Sequence, residues 1–175
     1  MAQLETFASY FSRLITFQDF LWIGFIWFIG FLLRKRVAKA LGVSTKRYLL
    51  IALAFAGVIG FSLRFWNATG TLSTFWLFAP EVWAAGIHIN ANLVLNICLY
   101  IPPALLLILA RKSWWKSAIV FAALSFVAET IQQYARIGQG DVVDLLANFL
   151  GASFGIGLGL LLRRLFPKLA VKENG

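Results

Sequence analysis

Residues 129–151 read Glu129-Thr-Ile-Gln132-Gln133-Tyr-Ala-Arg136-Ile-Gly138-Gln-Gly-Asp141-Val-Val-Asp144-Leu-Leu-Ala-Asn148-Phe-Leu-Gly151. Acids and amides stand here at the facing ends of two stretches otherwise apolar enough for a bilayer. An ionisable group inside a membrane span costs at least ~2.5 kcal/mol on insertion scales. Such groups pair with one another or line a wet cavity. Their recurrence at helical spacing on two successive segments makes this stretch the centre of the molecule.

Outward from it the chain is apolar almost throughout. Hydrophobic residues make up 61% of the 175 and charged residues only 13%, far from the balance of a soluble domain. A soluble core of this size would not hide so many apolar side chains, so lipid must cover them. Five apolar segments are visible, at about residues 17–33, 48–63, 91–110, 116–134 and 142–162. The expected fold is all-α: a polytopic membrane helix bundle of about five transmembrane helices, one domain over residues 1–175.

Charge sets the expected orientation. Thirteen of the 16 basic residues fall between spans one and two, between three and four, or after five; only Arg13, Arg64 and Arg136 stand opposite. The positive-inside tendency puts the N-terminus outside and the C-terminus in the cytoplasm. Six of the seven acids, all but Glu173, then lie toward the outer face. Trp114 and Trp115 mark an inner boundary, while Trp66, Trp76 and Trp83 fall in the apolar outer connection. That connection, residues 65–90, is expected to lie on the membrane or cap the bundle. Leu4, Phe7, Phe11, Leu14 and Ile15 form an apolar stripe at helical spacing, which suits an interfacial helix or a continuation of the first span.

The net charge of +9 is therefore topological. No basic face with aromatic or helical readers suggests nucleic acid. Cys98 is the single cysteine, which excludes an internal disulfide, and no cysteine–histidine spacing suggests zinc. No metal and no cofactor are expected.

Three helical faces carry polar groups at similar depth. Ser125, Glu129, Gln132 and Arg136 follow at steps of four, three and four on the fourth span. Asp141, Asp144 and Asn148 continue into Gly151, Gly155 and Gly159 on the fifth. Asn92, Asn96 and Tyr100 step along the third. Turning all three inward makes one shared, outward-facing pocket. Plainer roles stand beside this one. Gly151, Gly155 and Gly159 suit a close-packing seam better than a ligand cradle. Asp141 and Asp144 suit capping of a helix start as well as binding. Glu129 suits an anchor paired with Arg136 or an asparagine, and Asn92 and Asn96 suit bonds to neighbouring helices. His88, the only histidine, reads as incidental. Pro102 and Pro103 remove two helical amides and predict a bend in the third span.

These residues resemble the VanZ-like family of small bacterial membrane proteins. Asn96-Ile-Cys-Leu-Tyr100-Ile-Pro102-Pro-Ala104 is similar to the family's Asn-x-x-x-Phe-x-Pro-x-Gly. Ser125-Phe-Val-Ala-Glu129-Thr-Ile-Gln132 resembles Ser-x-x-x-Glu-x-x-Gln, and Asp141 to Gly151 resembles Asp-x-x-Asp-x-x-x-Asn-x-x-Gly. The resemblance covers about residues 92–162. Ala104 stands where the family has glycine, and Gly138 where it has arginine, with Arg136 two positions earlier. The resemblance implies a bacterial inner-membrane protein associated with resistance to teicoplanin, a lipid-tailed glycopeptide that acts at the outer membrane surface.

Three functions compete. The leading one is an envelope protein whose outer pocket binds a membrane lipid, or a lipid-linked or amphiphilic molecule. The second is an intramembrane enzyme acting on a lipid headgroup, with Glu129 as base and Asp141 and Asp144 holding a divalent cation. The third is a structural subunit that meets a membrane-protein partner through the glycine face.

Overall fold

The computed structural model describes residues 16–64, 91–110, 112–137 and 142–167. The N-terminal stripe, the outer connection with its tryptophans and His88, and Asp141 lie outside the described residues. Five helices follow in order: α1 Phe17–Leu41, α2 Thr45–Ser62, α3 Ala91–Leu109, α4 Trp114–Tyr134 and α5 Val142–Leu165. All five are long and apolar enough to cross a membrane. The chain is a multi-pass, all-helical membrane protein.

α1 runs through Arg34, Lys35, Arg36 and Lys39, two turns past the apolar edge at Leu33. Arginine, lysine and alanine are strong helix formers, so the helix outlasts its lipid-facing part. Gly42 stops it with the left-handed φ of 63° that glycine tolerates best. The amide of Val43 then donates to the Ala38 carbonyl at 3.0 Å, a Schellman closure. Ser44 caps α2, its Oγ accepting from the Arg47 amide at 3.4 Å. The connection is short, so α1 and α2 form an antiparallel hairpin. Two long side chains lock it. Trp27 Nε1 donates to the Leu49 carbonyl at 3.2 Å, and the Tyr48 hydroxyl donates to the Gly30 carbonyl at 3.0 Å.

The core lies elsewhere. Tyr100, Ala104 and Ile108 of α3, Phe121 of α4, Ala152 and Ile156 of α5, and Val58 of α2 form one buried cluster. Phe121 stacks on Phe55 at 5.5 Å between centroids and meets Tyr100 edge-on at 6.0 Å. α3 passes through Pro102 and Pro103 without interruption. It lies parallel to α5 along a glycine seam. A Cβ on Gly151 would run into the Ile97 carbonyl, one on Gly155 would sit 2.5 Å from the Ile101 carbonyl, and one on Gly159 2.7 Å from Ile108 Cβ. Only glycine lets the two backbones approach so closely.

Charges sort to opposite ends. Arg34, Lys35, Arg36 and Lys39 end α1, Lys46 and Arg47 begin α2, Lys116 begins α4, and Arg163 and Arg164 end α5. At this basic end the Lys112 ammonium donates to the Leu41 carbonyl, and Arg163 Nη1 donates to the Ile108 carbonyl at 3.4 Å. Cations there satisfy the last carbonyls of α1 and α3 and oppose their dipoles. Asp19, Glu129 and Asp144 lie toward the other end.

Candidate functional site

α4 carries the key polar side chains on the face that meets its neighbours. Its buried residues include Ser117, Phe121, Ser125, Glu129 and Gln133, a ladder in steps of four. Residues so spaced lie one above another, so Ser125 and Glu129 point where α5 packs. α5 answers with Asn148, one turn before the glycine seam begins. Asn148 Nδ2 donates to Ser125 Oγ at 3.0 Å and reaches Glu129 Oε1 at 3.5 Å. From α3, Tyr100 brings its ring onto Phe121 and its hydroxyl to the same spot, facing Glu129, Ser125 and Ser62.

This cluster is closed. Tyr100, Ser125, Asn148 and Glu129 are respectively 0%, 1%, 2% and 3% exposed. One polar atom of the cluster, Asn148 Oδ1, nonetheless has no hydrogen-bond partner among the described residues. Buried polar atoms of that kind are uncommon, and each calls for a cause. One such cause is a ligand whose polar atoms complete the set.

The remaining sequence candidates surround the cluster or stand apart from it. Gln132 is half-buried and donates from Nε2 to the Ser62 carbonyl at 2.6 Å, tying α4 to α2. Asn96 is half-buried and Asn92 exposed, both on the early turns of α3. Asp144 is half-buried in the first turn of α5, where the helix dipole favours an acid. Arg136 is exposed and holds φ at 58° in the turn after α4. The Ile137 amide closes that turn on the Gln132 carbonyl at 3.1 Å. Gly151, Gly155 and Gly159 face α3 of the same chain. Among the described residues no three His, Cys, Asp or Glu side chains converge as a metal site would need.

Two polar features escape the sequence pattern. Gln133, rather than Gln132, takes the buried face of α4 and is 4% exposed. Asp19 of α1 is fully buried and pairs with Arg64, just past α2, at 3.0 Å between Oδ1 and Nε. Its other oxygen accepts from the Thr16 amide at 2.6 Å and the Thr16 hydroxyl at 3.0 Å. Burial lowers the Arg64 pKa and Asp19 opposes that shift; an arginine stays charged regardless. A signal existed, because Asp19 and Arg64 are both charges placed at the end that the basic residues avoid.

The polar groups thus form a belt at one end of the bundle. It runs from Asp19–Arg64 on the hairpin, across Ser62 and Gln132, to the closed cluster between α3, α4 and α5. No curated protein and no solved structure matches the chain. Residues 17–163 match the VanZ/LLP1 family model, a span that takes in the hairpin and its ion pair as well as the polar cluster. The chain belongs to the VanZ/LLP1 family.

Proposed function

We propose that this protein is a binding protein of the bacterial inner membrane that holds a lipid-linked or amphiphilic molecule at the polar end of its bundle. The basic end faces the cytoplasm, as the positive-inside tendency directs, so the polar end faces outward. The observation that carries the proposal is the closed cluster of Tyr100, Ser125, Glu129 and Asn148, in which the buried Asn148 Oδ1 has no hydrogen-bond partner among the described residues. A ligand headgroup enters past Asn92, Asn96, Gln132 and Asp144, while its apolar part stays in lipid. Lipid-tailed glycopeptides such as teicoplanin fit this description, in keeping with the family's association with resistance to that antibiotic.

The test is binding of teicoplanin to the purified protein in nanodiscs, compared with vancomycin, which lacks the lipid tail. Teicoplanin should bind, and Glu129→Gln and Asn148→Ala should each weaken it by about tenfold or more. That loss corresponds to about 1.4 kcal/mol, the scale of one hydrogen bond to a charged group. Folded variants that bind as the wild type does would sink the proposal.

A further inference from the structure

Opening at the basic end, a groove of about 480 Å³ lies between the α1–α2 hairpin and the start of α4. Its walls are almost wholly apolar, with Ile26, Ile51, Phe55 and Val120 among them. Its mouth is cationic, formed by Lys112 and Lys116 with Ser113 and Ser117. From Tyr48, at the start of the apolar part of α2, to Ile59 it follows eleven residues of that helix, about 16 Å at ~1.5 Å per residue. That exceeds the ~15 Å half-thickness of the bilayer hydrocarbon, so the groove reaches from headgroup level to the middle of the membrane.

We propose that this groove binds one anionic phospholipid, with an acyl chain along the apolar walls and the phosphate at Lys112 and Lys116. Charge complementarity selects the occupant. An apolar trough ending in two ammonium groups matches a chain ending in a phosphate, and basic pockets between membrane helices are where anionic headgroups collect. The depth agrees: Trp114 and Trp115 are exposed beside the mouth, at the level where aromatic rings meet headgroups. Lys112 already donates to the Leu41 carbonyl, which holds one cation in place between α1 and α4. Lys116 stands four residues on, over the Trp115 ring at 5.3 Å, and supplies the second. Ser113 precedes α4 without a side-chain capping bond, so first-turn amides remain available to a phosphate oxygen. A lipid seated there joins α1, which buries only Asp19 and Ala38, to α4.

The experiment is native mass spectrometry of the full chain released from detergent containing phosphatidylglycerol or phosphatidylcholine. The wild type should retain phosphatidylglycerol in preference to phosphatidylcholine. Lys116→Gln, at an exposed position, should lower the apparent affinity for phosphatidylglycerol about fivefold, the effect of one basic residue near a membrane surface, and leave phosphatidylcholine unchanged. Val120→Trp, which adds bulk to the groove from an exposed position, should displace the lipid, while Glu129→Gln at the opposite end should not. Equal retention of both lipids with no response to Lys116→Gln would overturn the proposal. So would phosphatidylglycerol that stays bound in Val120→Trp, or a Val120→Trp protein whose only change is its oligomeric mass.

Discussion

The first and last helices are built on opposite plans. α1 buries only Asp19 and Ala38 along its 25 residues, and Phe17, Phe20, Leu21, Phe25 and Phe28 point outward. α5 buries eight of its 24, among them Asn148 and three glycines. One helix is clasped to the molecule by a few polar contacts and bathed in lipid. The other is pressed backbone to backbone against α3. In water the difference would be one of hydrophobic burial, but lipid tails are as apolar as leucine and that driving force is weak. What separates the two is the quality of packing and hydrogen bonding. α3 and α5 are therefore the closely packed pair on which the polar cluster is built; α4 and α2 join it through Phe121, Phe55 and Val58, and α1 is the peripheral helix.

Several substitutions should break or sharpen that contrast. The largest effect is expected at the seam: Gly151→Leu drives a side chain into the Ile97 carbonyl, where backbone has no easy retreat. A loss of at least ~3 kcal/mol is expected, read as failure to recover a folded, monodisperse protein. On the hairpin, Asp19→Ala strips Arg64 and Thr16 of a buried partner and should cost about 2–3 kcal/mol, read from the unfolding midpoint. Adding Arg64→Ala should restore part of that loss, because no lone buried charge then remains. Tyr48→Phe removes a single bond to the Gly30 carbonyl and should cost about 1 kcal/mol.

The sequence exposes the α3–α5 unit far better than the hairpin, for physical reasons. Polar residues at steps of three and four inside an apolar run are costly enough to stand out, so Tyr100, Ser125, Glu129 and Asn148 are legible as neighbours in the sequence itself. Which amide of Gln132 and Gln133 turns inward was not. Steps of four drift around the helix, and the neighbouring helices decide where the buried face ends. Glycines at 151, 155 and 159 announced close packing, but spacing on one helix does not name the helix it meets. Among the described residues the cluster is closed, because Asn148 turns its amide onto Ser125 and Glu129, and spacing along single helices gives the depth of such groups but not how tightly they meet. The Asp19–Arg64 pair joins residues far apart in the chain, and no local pattern links them. The extra turns of α1 were hidden because hydrophobicity marks where lipid ends, not where a helix does.

The central claim is that the α3–α4–α5 cluster does the binding while the hairpin supports it. It is tested most directly by teicoplanin tolerance in a susceptible bacterium carrying the wild type, Glu129→Gln or Tyr48→Phe at matched membrane levels. The account predicts that the wild type raises tolerance over cells lacking the protein, that Glu129→Gln, nearly identical in shape, abolishes the gain, and that Tyr48→Phe keeps it despite its lower stability. Full tolerance with Glu129→Gln, or loss confined to Tyr48→Phe, would contradict the account.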